Sequence, residues 1–383
     1  MEMVLSLVDM FQTVPRLWDF MDGNCKKALL GTCMCLRKET GQVVSKVSLR
    51  LDWQAADVAS LVTRNWAQLQ HLDLSGGLIF MAAATHMSTA SWPMLRRLEL
   101  STLSNCEHKY FSWPQLFQSF EGRWELLQEF ACPTACLDKS AMVALTGLDW
   151  PMLALLDITL SPEAMPVLVQ GKWPHLKHIY LKACYRSKGI SIHDMSSCWS
   201  GWSSLEVMRL RLCNISHEAA NQLVKAHLPS LKRLCLLELS LVDGAQSLRP
   251  LCQGSWPHLT ELSIHLKNRQ SPDDSFVWPL VSGAWPSLQT LTFAFDVSQA
   301  AIAVLLQASW PSVASLLLGG DRENHATVIA ACVHKWPALK SLTLRCSLSP
   351  GGVDVEGDVL VFWEKEKILI MRRWPLLECS LIL

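Results

Sequence analysis

Two cysteine pairs, Cys33-x-Cys35 and Cys132-x-x-x-Cys136, come near the spacing with which thiolates open a zinc site. Neither has the second pair that tetrahedral coordination needs, so both read as packed thiols and no metal is expected. Gly171-Lys172 offers the lysine of a phosphate-cradling loop, but Trp173 stands where the hydroxyl residue belongs and the upstream glycine is missing. No Gly-x-Ser-x-Gly elbow or His-Glu-x-x-His helix occurs. Carboxylates and histidines are scattered, without the pairing that acid–base work requires. No catalytic residue and no cofactor follow from this inventory, and an enzyme is not the expected function. What stands out is a set of cations with one aromatic ring on short alternating segments: His178, Tyr180 and Lys182, then Arg209 and Arg211, then Arg233. Such side chains recognise an acidic partner.

The elements that must position them are marked by tryptophan, of which there are 17 against 3 Tyr. Trp92-Pro-Met-Leu-Arg-Arg-Leu-Glu-Leu returns from Trp150, Trp173, Trp256, Trp285, Trp310 and Trp336, and more loosely from Trp66, Trp124, Trp202 and Trp374. Leu228 replaces the tryptophan in one further copy, giving about 12 units spaced mostly about 23 to 32 residues apart. Self-similarity at this period means stacked repeats, and it overrides the two or three domains that length alone would suggest. Leu-x-x-Leu-x-Leu puts apolar side chains on one face of a short strand. Ser216, Ser298 and Ser161 each precede a helical run, the last with Pro162 at the first helical position. The proline after each anchor tryptophan is expected to end the helix and extend the chain before the next strand. Trp113-Pro114 and Trp278-Pro279 lie between anchors and are expected to start helices.

The unit resembles the leucine-rich repeat family, of the ribonuclease-inhibitor-like kind. Its best copy is Leu205-x-x-Met208-x-Leu210-x-x-Cys213-x-Ile215, with Cys184 in the equivalent slot one repeat earlier. The resemblance covers about residues 44–383. It implies an α/β solenoid with a curved parallel sheet inside and helices outside. Equivalent tryptophans then form an interior column, each burying roughly 150–250 Å² and contributing about 4–6 kcal/mol as an upper bound. The alternate strand positions point into the concave face, where adjacent strands stand about 4.8 Å apart. His178, Tyr180, Lys182, Arg209, Arg211 and Arg233 would there make a compact basic patch, flanked by Lys177 and Lys232. Crowded like charges favour an acidic protein partner to offset them. Toward the C-terminus the same face turns small and neutral, as in Thr290, Thr292, Ala294 and Ser315.

Residues 1–43 do not follow the repeat. Leu17 to Arg37 reads as two short amphipathic helices broken at Asp22-Gly23-Asn24. The segment resembles the latter part of an F-box, although Val14-Pro15 sits almost against Leu17, where that family has a full helix. The resemblance implies that Trp18, Phe20, Met21, Leu29 and Leu30 form a hydrophobic body facing the linker subunit of a cullin-type ubiquitin ligase. The alternative is a helical cap closing the first repeat. The last copy, from Trp374, stops at its strand, so that edge is covered by a partner, belongs to a truncated chain, or is open to aggregation. The turn-rich acidic stretch Ser349–Asp358 is either an inert insertion or a contact loop.

Lys+Arg 34 balances Asp+Glu 34, and hydrophobic residues make up 50% of the chain, which excludes disorder and gives no reason to expect nucleic acid. Met1–Met10 carries acids and no basic start, unlike a signal peptide. Val297–Gly320 has the length to span a bilayer, but Gln307, Ser309 and Pro311 interrupt it and it fits the repeat. A cytoplasmic or nuclear protein, with no membrane partner, is expected. The expected function is to bind a protein on the concave face: as a scaffold, as the substrate receptor of a ubiquitin ligase, or as a regulator that clamps and inhibits an enzyme.

Overall fold

The structure is a computed structural model that describes residues 46–48, 69–74, 92–100, 112–184 except 169, 190–191, 201–267 except 227 and 255, 277, 281, 283, 285–320, 335–336, 338–346 and 378–382. The strands are β1 (Lys46–Ser48), β2 (His71–Leu74), β3 (Arg97–Leu100), β4 (Glu129–Leu137), β5 (Leu155–Leu160), β6 (His178–Ala183), β7 (Ile190–Ser191) and β8 (Val207–Arg211). They continue as β9 (Cys213–Ile215), β10 (Arg233–Leu241), β11 (Glu261–Leu266), β12 (Thr290–Val297), β13 (Ser315–Gly320), β14 (Ser341–Cys346) and β15 (Glu378–Ile382). Together they make one 15-stranded sheet in chain order, every pair parallel, with β7 and β9 as a short side ladder joining β10. This is the α/β solenoid, a parallel sheet backed by short helices, that the leucine-rich-repeat resemblance implies.

Period-two alternation builds the core. Leu72, Leu98, Phe130, Leu156, Ile179, Met208, Leu234, Leu262, Leu291, Leu316 and Leu342 are in register across consecutive strands and all buried. A second buried row, two residues on, holds Ile158, Leu181, Leu210, Leu236, Ile264, Phe293 and Leu318. The motif residues Leu205, Met208, Leu210, Cys213 and Ile215 are all core.

The anchor tryptophans are buried at nine described positions, with Leu228 buried at the tenth. Trp92 stacks on Trp124, Trp285 on Trp310, and Trp310 on Trp336, at 5.9, 6.2 and 5.8 Å between ring centres. Offset ring pairs add about 0.5–1.5 kcal/mol beyond burial. The following proline has a different task from the one expected. The Trp carbonyl accepts from the N–H three residues on, at Leu95, Leu153, Leu176, Leu259 and Leu339 among others, so Trp-Pro-x-Leu is a tight turn with proline at its second position.

One residue after each turn, a single carbonyl then accepts two consecutive N–H groups of the next repeat. Gln70 receives Arg96 and Arg97, Arg96 receives Gln128 and Glu129, and the pattern runs on to Ala314, which receives Lys340 and Ser341. A carbonyl has two lone pairs, and here both lock one repeat to the next.

Short helices back the sheet: α1 (Trp113–Gln118), α2 (Lys139–Thr146), α3 (Met165–Leu168), α4 (His217–Lys225), α5 (Arg249–Gln253) and α6 (Gln299–Leu305). Trp113-Pro114 starts a helix as expected, while Trp278-Pro279 lies outside the described residues. Ser216 and Ser298 cap α4 and α6, accepting from Ala219 and Ala301 N–H at 3.1 Å. Pro162 opens a 3-10 turn ahead of α3, and Ser161 makes no cap. Val297–Gly320 is a strand end, a helix, a turn and a strand. Among the described residues, no helix is long and apolar enough to cross a membrane.

Candidate functional site

The odd positions of the central strands share the sheet face opposite the core. Register aligns His178 with Val207 and Arg233, Tyr180 with Arg209 and Cys235, and Lys182 with Arg211 and Leu237. The six expected cations and ring therefore lie on three neighbouring strands. Arg209 and Arg233 are exposed, and the other four are half-buried. The Arg209 guanidinium lies 5.3 Å from the Tyr180 ring centre, and Tyr180 stacks on His178 at 6.5 Å. Cation–ring contacts at exposed sites are worth about 0.5–1 kcal/mol.

Their charge is largely offset from within. Glu238 accepts from Arg211 Nε at 2.8 Å and Nη2 at 2.6 Å, both to the same oxygen. Glu261 lies 3.6 Å from Arg233, and Glu206 sits between the two flanking lysines, 2.6 Å from Lys232 and 3.8 Å from Lys177. Lys177, Glu206 and Lys232 follow their turns at equivalent positions, so their alternation along the array is a ladder of opposite charges. The Lys232 ammonium holds the Glu206 carboxyl below the usual range.

Glu238 reaches Arg211 because its backbone is left-handed, φ 53°, inside a register shift of β10 between Leu236 and Leu239. Leu212, one strand earlier, is left-handed too, φ 59°. For a non-glycine residue this conformation costs roughly 1–2 kcal/mol, which the Arg211 pair helps offset. Arg209 has no ion pair among the described residues.

The row through Arg209 changes sign along the sheet. It runs Asp73, Glu99, Ala131, Asp157, Tyr180, Arg209, Cys235, Ser263, Thr292, Leu317 and Thr343. Acids occupy its N-terminal part, one arginine its centre, and small or neutral residues its C-terminal part, as expected for that end. Burial, with Glu99 nearby, pushes the Asp157 carboxyl up to about 6, against the pull of Arg209 and Lys182. The acidic station was missed in the sequence because no motif marks it; reading the same alternate positions one strand further back would have found it.

The cysteines sit apart. Cys132 and Cys213 are core residues; burial raises both thiols, Cys213 to about 12. Cys136 lies beyond the bulge of β4, on an exposed position, so Cys132 and Cys136 do not converge as a ligand pair. No cluster of three His, Cys, Asp or Glu suited to a metal occurs among the described residues. Trp18, Phe20, Met21, Leu29, Leu30 and the Ser349–Asp358 stretch lie outside the described residues.

No protein-family model matches the chain, and a search of curated proteins finds no relative. Solved structures do resemble it. A chain of the crystallised Rad7 and Elc1 complex of yeast is 16% identical, over 92% of each chain, with a TM-score of 0.48. An internalin, InlF, of Listeria monocytogenes is 12% identical over 88% of this chain and 86% of that one, with a TM-score of 0.39. A chain of the TLR13–ssRNA13 complex is 14% identical over 79% of this chain and 50% of its own length, with a TM-score of 0.35.

Proposed function

We propose that the solenoid is a non-enzymatic protein-binding scaffold that holds a protein partner on the open face of its sheet. The observation that carries this reading is the centre of that face: Arg209, exposed over Tyr180 and in no ion pair among the described residues, beside Arg211 and Arg233, which neighbouring acids hold in place. Salt-bridged side chains enter an interface already ordered, which lowers the entropic cost of binding. The scarcity of paired acid–base groups and the absence of nucleophile and phosphate motifs in the sequence support binding over catalysis.

The finer reading gives this scaffold a place in a cullin-type ubiquitin ligase, with Trp18, Phe20, Met21, Leu29 and Leu30 of residues 1–43 contacting the linker subunit. Its support is the F-box-like spacing of that segment. The test is affinity purification of the full chain, of a chain lacking residues 1–43, and of Arg209→Glu/Arg211→Glu. Linker recovered from the full chain and lost on deletion supports the ligase assignment; linker retained after deletion removes it. A partner that binds the full chain and Arg209→Glu/Arg211→Glu equally would mean that the open face is not the partner site.

A further inference from the structure

The row Glu99, Ala131, Asp157, Tyr180, Arg209 presents two carboxylates flanking an alanine at one end and an arginine at the other. Glu99 and Asp157 are half-buried on the open face, and Ala131 between them has only a methyl group, leaving room for a side chain from outside. Glu99 is met at 3.2 Å by Arg97, which it shares with Glu129, but it still works against ionisation of Asp157, so the pair gains from a further cation placed between them. Arg209 is the counterpart: exposed, held over Tyr180, and with no ion pair among the described residues, unlike Arg211 and Arg233 beside it. Beyond Cys235 the row is uncharged through Thr343, so its charges are confined to β2 through β8, acids first from Asp73 and then Arg209.

From this charge pattern we infer that the occupant of the open face is an extended protein segment of dipolar sequence, crossing the strands with a Lys or Arg over Ala131 and an Asp or Glu on Arg209. The inference rests on the reading of this face as the partner site and adds the chemistry of the partner. Adjacent strands stand about 4.8 Å apart, so Ala131 and Arg209 are about 14 Å apart along the row, and four residues of extended chain rise about 13 Å. Four is an even number, so both charged side chains point to the same side of the segment. A nucleic acid fits worse, because its phosphates would have to pass Glu99 and Asp157 to follow the row.

The experiment titrates the full chain with short fluorescein-labelled peptides of Ser and Thr carrying Lys and Glu four residues apart, read by anisotropy. Controls carry the two charges three apart, two Lys, two Glu, or none, and a uridine oligonucleotide of equal length is run beside them. The dipolar peptide with spacing four should bind at least about fivefold tighter than every control, the scale of two exposed charge pairs. Arg209→Glu should lose that preference and favour the two-Lys peptide; Glu99→Lys/Asp157→Lys should favour the two-Glu peptide. These gains of binding exclude a folding defect. Equal binding of all peptides, tighter binding of the oligonucleotide, or no switch in either variant overturns the inference. A two-Glu peptide that wins on the unmodified chain and depends on Arg209 also overturns it, while leaving the open face as the partner site. If instead no peptide depends on Arg209 and the purified partner ignores Arg209→Glu/Arg211→Glu, both readings fall.

Discussion

Along β2 to β14 the buried row and the open-face row alternate residue by residue on the same strands, yet they tolerate change very differently. Inward, Leu72 through Leu342 vary only among Leu, Ile, Met and Phe. Outward, the neighbouring row passes from acid to arginine to threonine over the same distance. The inner row is fixed by stacking, since each repeat closes its core only against the next. The outer row is largely free of that demand, although Cys235 and Ser263 in it are buried. If the open face holds the proposed partner, stability and recognition are separated by a single step along the strand.

The largest test of that separation is in the tryptophan column. Trp310 lies between Trp285 and Trp336, in ring contact with both, and is 1% exposed. Trp310→Ala should cost about 3–5 kcal/mol, read by urea unfolding, without changing charge on the open face. Next comes the residue two before the anchor. A methyl group on Gly171 would meet the Trp173 ring at 2.5 Å, whereas Ala308 stands at the same place before Trp310 and is accommodated. Gly171→Ala should therefore cost about 1–3 kcal/mol. A neutral result would show that the column adapts ring by ring. Smaller again are the caps: Ser298→Ala should cost about 1 kcal/mol, and Ser161→Ala less, because Ser161 makes no cap bond to lose.

How far the sequence led divides along the same line. The tryptophan register, the strand pattern and the caps at Ser216 and Ser298 are legible because each is a local signal repeated many times. The proline's role was misjudged since Trp-Pro is compatible with both a helix stop and a turn, and only the Trp carbonyl bond to the third residue on separates them. The cations of the open face could be read from alternation. Their carboxylates could not: Glu206, Glu238 and Glu261 reach Lys232, Arg211 and Arg233 from repeats 26 to 28 residues away. Glu238 needs a left-handed backbone as well, and no residue in the stretch announces it. What read as a bare basic patch has Arg211 and Arg233 tied to acids, with Arg209 in no ion pair among the described residues.

Asp157 gives the smallest expected effect, and the one that joins the two faces. Its neighbours are Glu99 on β3, Tyr180 and Lys182 on β6, and Arg209 on β8; the acid and burial raise the carboxyl to about 6 from 3.8, while the cations oppose the shift. The folded chain holds this proton more tightly than the unfolded one. The group therefore adds stability as pH falls from 6 to 3.8, and that share is lost as pH rises through 6. Asp157→Asn cannot titrate, so relative to the unmodified chain it should gain stability between pH 5 and 7, by less than about 1 kcal/mol because water screens a partly exposed group. Urea midpoints of the two chains, compared pair by pair across this range, cancel the titration of every other carboxylate. Lysine peptide bound over Ala131 should pull the Asp157 carboxyl down and thereby lose affinity as pH drops below 6. If the midpoints run parallel, Asp157 is already neutralised in the free chain by Arg209 and Lys182, and the acidic end of the row has no cation to attract.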